Sequence, residues 1–306
     1  MTSLPHQPPR IARANGIDIC YEIFGDASAE PILLIMGLGA QMIEWQEDFC
    51  WQLAARGFRV IRFDNRDIGG SSRLSGGKRL SPLELLKLRY FKIPVAATYT
   101  LRDMAEDVTG LMDALGIASA HIVGASMGGM IAQEMAISFP QRLRSLTSIM
   151  STTGNPRVPP PTREAMAIMM APPPTTRDDY FVRFAQTWKM LRVGHFPEDE
   201  ALDQARAERT YARGLNPAGV GRQLRAILAS GNRSERLRSV KVPTLVIHGT
   251  VDPLVHPEGG KDTAVAIPGA QLLMIEGMGH AMPIPMWPEI SDAIDQHAHA
   301  ATAKAA

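Results

Sequence analysis

Short apolar runs recur along this chain, separated by stretches with helical periodicity. Pro31 to Met36 (Pro-Ile-Leu-Leu-Ile-Met) is continuously apolar, and Phe58 to Phe63 is apolar but for arginine. That is the pattern of strands buried on both faces. Gly16 to Phe24 alternates and predicts an earlier strand that turns at Gly25-Asp26. Ser119 to Val123, Ser145 to Ser151, Pro243 to Gly249 and Gln271 to Glu276 read as further strands. Between them, residues 44–56 predict a helix ended by Gly57. Leu101, Met104, Val108, Leu111, Met112 and Leu115 recur at helical spacing. They follow a capping box, Thr100-Leu101-Arg102-Asp103, and Gly116 supplies the stop. The residues after Ser126 are helix-compatible until Pro140. A last helix begins near Pro288 and is expected to fray in its Ala-rich tail.

Strands alternating with helices imply an α/β fold with a mostly parallel central sheet flanked by helices on both faces. The early strands lack helical crossovers and are expected to add an antiparallel edge. Residues 155–241 break the rhythm. They open with Pro156, Pro159, Pro160 and Pro161, continue with Pro172, Pro173 and Pro174, and then show helical patterns alone around 176–192, 199–213 and 217–230. We read them as an inserted helical cap over a core formed by residues 1–154 and 242–306. A smaller insertion at 73–99 carries Leu83, Leu85, Leu86, Leu88, Tyr90 and Phe91 among basic residues. Packing is the favoured reading of it, over a pocket mouth or a partner or membrane surface.

The 306 residues suffice for one large α/β domain or two ordinary ones. Hydrophobic content of 45% and charged content of 21% are those of a soluble globular protein. A net charge of +1 leaves no electrostatic footprint for nucleic acid. The first ten residues show no apolar signal-peptide core, and no apolar run reaches the ~20 residues of a membrane span. Cys20 and Cys50 are expected as buried reduced thiols, and a cytoplasmic enzyme is the default.

The candidate chemistry centres on Gly124-Ala125-Ser126-Met127-Gly128, a G-x-S-x-G pentapeptide. Ser126 falls where a buried strand ends and a helix begins, the context a nucleophile elbow requires. Small neighbours are needed at such a turn, and Gly124, Gly128 and Gly129 provide them. A serine hydroxyl is a weak nucleophile that needs a base, and the base needs an orienting group. Asp252 stands three residues after Gly249, and His280 four residues after Glu276, each just past a predicted strand. The order Ser126, Asp252, His280 is that of an α/β-hydrolase triad. Taken singly, Asp252 reads equally well as a turn former before Pro253, and His280 as a loop histidine. Glu276, Asp262 and His256 are weaker candidates. His121 and His248 lie inside apolar runs and read as structural, and His297 and His299 lie in the tail. No His/Cys/Asp/Glu set has metal-ligand spacing, so neither a metal nor another cofactor is expected. Backbone N–H groups of Met127 and Leu38 are the candidate oxyanion donors, Leu38 because it lies in the glycine-rich loop after Met36.

The chain resembles the α/β-hydrolase superfamily over nearly its whole length. Met36-Gly37-Leu38-Gly39, Asp64-Asn65-Arg66-Asp67-Ile68-Gly69-Gly70-Ser71, Gly124 to Gly129 and the Asp252/His280 pair carry the match. The second segment is similar to the D-x-R-G-x-G-x-S signature of the lipase, esterase, enol-lactonase and non-haem perhydrolase branch. Within it, Arg66-Asp67-Ile68-Gly69 resembles the aclacinomycin methylesterase-like proteins. Two positions depart from the pattern. Met36-Gly37 stands where the family has His-Gly, so the histidine's support must come from elsewhere. Asp67 replaces a glycine and is read as a turn residue capping nearby N–H groups.

The leading expectation is a serine carboxylester hydrolase acting on a small, largely apolar molecule through an acyl-enzyme. Met36, Met42, Met127, Met278 and Met282 are expected near its pocket. A perhydrolase (haloperoxidase-like) or a C–C bond hydrolase would use the same triad, and a non-catalytic ligand receptor on the same fold is a further alternative. The sequence assigns no oligomeric state.

Overall fold

A computed structural model describes residues 5–77, 81, 83–84, 95–197 and 199–305. Among these, eight strands form one sheet in the order β1-β2-β4-β3-β5-β6-β7-β8. The strands are β1 (His6–Ala14), β2 (Ile17–Phe24), β3 (Glu30–Ile35), β4 (Phe58–Phe63), β5 (Ala120–Ala125), β6 (Leu143–Ile149), β7 (Thr244–Gly249) and β8 (Gln271–Ile275). The β1–β2 and β2–β4 pairings are antiparallel and all others parallel.

The apolar runs pack as their pattern demands. In β3, Ile32 and Leu34 join one core cluster while Leu33 and Ile35 join the other, across the sheet. Alternate side chains leave a strand on opposite faces, so a run apolar at every position is buried twice over. Helices α2 (Leu101–Ala114) and α3 (Met127–Ser138) supply Val108, Leu111, Met130 and Ile131 to one face. Helices α1 (Glu47–Ala55) and α10 (Trp287–Ala305) supply Phe49, Leu53, Ile290 and Ile294 to the other, and α9 (Glu258–Ala266) lies between β7 and β8. The capping box of α2 is complete: the Thr100 hydroxyl accepts from Asp103 N–H, and Thr100 N–H donates to the Asp103 carboxylate.

Between β6 and β7 the chain runs through α4 (Arg163–Met170), α5 (Arg177–Arg192), α6 (Glu200–Ala212), α7 (Pro217–Ser230) and α8 (Ser234–Leu237). Two of these, α4 and α8, were hidden in the sequence. The eight residues of α4 sit between two proline clusters, and the Thr162 hydroxyl, accepting from Ala165 N–H, starts the helix.

The N-terminal segment holds Pro8 and Pro9 yet forms β1, an edge strand whose register shifts between Gln7 and Arg10. An edge position with a bulge is where prolines fit a strand. The Ala-rich tail does not fray before Ala305, because Ile290, Ile294, Ala298 and Ala301 form a buried stripe along α10. His297 in that helix is buried against the Pro243 carbonyl. Of the 73–99 insertion, Leu83 is exposed, while Leu85, Leu86, Leu88, Tyr90 and Phe91 lie outside the described residues. Cys20 and Cys50 are buried free thiols, and burial pushes Cys50 up to about 12. No helix among the described residues is long and apolar enough to cross a membrane.

Candidate active site

Ser126 sits at the junction of β5 and α3 with φ 56° and ψ −119°, a left-handed conformation for a residue with a Cβ. Such a backbone costs of order 1–3 kcal/mol and persists only when its surroundings hold it. They do. Ser126 N–H donates to Ile149 C=O at 2.9 Å, and its carbonyl accepts from Gly129 N–H and the Ser151 hydroxyl at 3.0 and 2.8 Å. A Cβ on Gly124 would lie 2.2 Å from Gly128 O, and one on Gly128 would lie 2.0 Å from Ile35 O. The turn closes because both positions are glycine.

Asp252 follows β7 and is buried. Its Oδ1 accepts from the Leu254 and Val255 N–H groups at 2.9 and 2.8 Å, which fixes the carboxylate plane. Its Oδ2 lies 2.7 Å from His280 Nδ1. Burial alone would push this carboxyl up, but His280 and the nearby His248 outweigh it and hold Asp252 far below the usual carboxylate range. His280 comes from the loop after β8, and its own N–H donates to Leu191 C=O of α5 at 2.7 Å. From there His280 Nε2 reaches Ser126 Oγ at 3.0 Å. The three residues that follow three different strands therefore form one hydrogen-bonded line.

The loop after β3 passes directly beside Ser126. A Cβ on Gly37 would stand 3.2 Å from Ser126 Cβ and 3.6 Å from its Oγ. Among the described residues, neither the Leu38 N–H nor the Met127 N–H donates to a protein acceptor. The support that a histidine before Gly37 would give comes from elsewhere. Asn65 Nδ2 donates to Met36 C=O at 2.8 Å, and Gln223 Oε1 accepts from Gly39 N–H at 2.9 Å.

The Asp64–Asp67 segment braces this region. Asp64 accepts from Met42 and Gly70 N–H and pairs with Arg213. Arg66 forks onto Asp107. Asp67 does accept from Leu74 N–H, as a turn residue would, but it is fully buried and pairs bidentately with Arg222 of α7. The turn reading is thus too modest. Arg213, Arg222 and Gln223 were missed in the sequence because they lie about 150 residues from their partners and no periodicity links them.

A cavity of about 380 Å³ lies over Ser126 and His280. Its walls include Phe49 and Trp287 from the core side and Tyr180, Phe184 and Trp188 from α5. One wall is charged: Arg206 of α6 pairs with Glu44 and Asp203, and its guanidinium lies 4.0 Å over the Trp188 ring. Of the methionines expected here, Met36 and Met282 line the cavity. Met42, Met127 and Met278 are instead packed in the core, and Met150, Met169 and Met190 take the lining role. His256 accepts from Glu258 N–H, Asp262 binds Asn155 and Thr153, and Glu276 is exposed, so none of these joins the Ser126 line.

Comparison with known proteins agrees with this architecture. The chain is 29% identical over 316 residues to a rhodomycin D methylesterase of Streptomyces sp. (strain C5), covering 96% of this chain and 99% of that one. Its fold matches an enol-lactonase from Burkholderia xenovorans LB400 with a TM-score of 0.73 and 23% identity, covering 94% and 99% of the two chains. It matches a meta-cleavage product hydrolase from Pseudomonas fluorescens IP01 with a TM-score of 0.74 and 20% identity, covering 95% and 98%. The sequence model of the alpha/beta hydrolase fold matches residues 30–285, and the chain belongs to that family.

Proposed function

We infer that this protein is a serine hydrolase that cleaves a carboxylic ester of a largely apolar small molecule through an acyl-enzyme. The observation that carries the reading is the line Asp252–His280–Ser126, with contacts of 2.7 and 3.0 Å, at the floor of the cavity. Ser126 Oγ attacks the ester carbonyl as His280 Nε2 takes its proton. Asp252, ionised throughout, holds the imidazole by Nδ1 and stabilises its charged form. The oxyanion takes the Leu38 and Met127 N–H groups, which donate to no acceptor among the described residues. His280 then gives its proton to the departing alcohol. Water, deprotonated by His280, releases the acid and restores Ser126.

The likeness to a methylesterase supports an ester with a small alcohol and the bulk of the substrate on the acyl side. The cavity, with aromatic walls, has room for such an acyl group. In this reading helices α4 to α8 are the cap and residues 1–154 and 242–306 the core.

A panel of p-nitrophenyl esters, methyl aryl esters, lactones, thioesters and C–C substrates tests the assignment. Ester turnover, with fluorophosphonate labelling of Ser126, is the expected result. No turnover of any ester together with no labelling of Ser126 overturns it.

A further inference from the structure

We propose that Gln223, from the cap helix α7, is the positioning residue of the oxyanion loop, fixing the backbone so that the Leu38 N–H faces the reacting carbonyl. This rests on the serine-hydrolase reading above. Gln223 is fully buried. Its Oε1 accepts from Gly39 N–H and its Nε2 donates to Arg66 C=O, both at 2.9 Å. The first bond fixes the peptide plane that follows Leu38. Because peptides are planar, only the two dihedrals of Leu38 separate that plane from the one carrying the Leu38 N–H. On the other side, Asn65 holds Met36 C=O and Gly37 abuts Ser126. The peptide that must donate is thereby clamped from both ends.

Helix α7 is a firm platform for this. Arg222, next to Gln223, forks onto Asp67 at 2.9 and 2.6 Å, and Asn216 donates to Asp67 C=O at 2.9 Å. Val220, one turn earlier, packs on Gly39, with Cγ2 3.1 Å from where a Cβ would stand. Gly39 itself has φ +70°, a conformation suited to glycine. Oxyanion donors act through preorganisation, so whatever holds them still contributes to the rate without touching substrate. A carboxamide suits the place because it offers an acceptor to Gly39 and a donor to Arg66 at once.

The test compares Gln223→Leu and Gln223→Glu with wild type, and uses Ile227→Ala from the same helix as a stability-matched control. Gln223→Leu is expected to lower kcat by about 10- to 100-fold with KM within about 3-fold. Affinity for an arylboronic acid, a tetrahedral mimic, should fall in step. A protonated Glu side chain accepts from Gly39 and donates to Arg66 as the amide does, whereas its carboxylate only accepts. The ratio of Gln223→Glu to wild-type activity should therefore rise as pH falls from about 8 to about 6. Unchanged kcat in Gln223→Leu, or a loss in all three variants that merely tracks melting temperature, overturns the proposal. If instead Ser126→Ala keeps wild-type activity, the serine-hydrolase reading itself fails and takes this proposal with it.

Discussion

Asp67 and Arg222 meet fork to fork, with guanidinium nitrogens 2.9 and 2.6 Å from the two carboxylate oxygens, both side chains buried and 155 residues apart in sequence. Burial would push the Asp67 carboxyl up, but the bonds from Arg222 and Tyr99 hold it below its ordinary value. The pair ties the loop after β4 to helix α7, which also reaches Gly39 through Gln223.

Removing one partner of a buried pair strands the other charge. Arg222→Met is expected to lower unfolding stability by about 3 kcal/mol. Adding Asp67→Asn should restore part of that, since the stranded carboxylate is gone and asparagine tolerates the positive φ of 74°. Urea unfolding of the two single variants and the double measures the coupling. Strictly additive losses would contradict it.

Gly37 faces Ser126 at close range. Gly37→Ala adds a methyl 3.6 Å from Ser126 Oγ, where the proposed reaction brings the substrate carbonyl. We expect kcat/KM to fall by about 100-fold. The melting temperature should change little, because Gly37 is not at a positive φ. Steady-state kinetics beside a thermal melt checks both halves, and an unimpaired variant would remove the loop from the site.

Much of this was legible in the chain, for definite reasons. β3, β4, β5 and β7 stood out because strands buried on both faces are largely apolar. Ser126 and Asp252 stood out because each comes shortly after such a strand, whereas His280 follows β8, an edge strand with Gln271 and Leu272 exposed. The contribution of the helices between β6 and β7 was not legible. Gln223, Arg222 and Arg206 are ordinary polar residues on helices, and only folding brings them to Gly39, Asp67 and Glu44. The methionine reading failed in part for a related reason: Met127 and Met278 lie beside site residues in sequence but point into the core.

His121 gives stability a pH dependence. Burial pushes its pKa down to about 4 from an ordinary 6.5, against the pull of Glu30. The unfolded chain therefore takes up a proton between those values while the folded chain does not. Stability is full above about pH 6.5 and falls as pH drops toward 4. His121→Asn should remove about 1–3 kcal/mol of that acid-side loss. Chemical denaturation at pH 7 and pH 4.5 measures it, and an unchanged slope would place the effect elsewhere.

Asp252→Asn keeps the shape of the site but offers His280 Nδ1 an amide in place of a carboxylate. The imidazole loses both its fixed tautomer and the charge that stabilises its protonated form. A fall in kcat of about 10³- to 10⁴-fold is expected, with a folded protein by circular dichroism. Retention of more than about a tenth of the activity would leave Asp252 a structural turn residue.

In the proposed reaction Ser126 carries the acyl group. Rapid quenching during turnover of p-nitrophenyl acetate, followed by peptide mass mapping, locates that group. One acetyl per chain is expected on the peptide containing Ser126, formed in a burst, with neither adduct nor turnover in Ser126→Ala. Acetyl on a different residue, or wild-type turnover by Ser126→Ala, would contradict it.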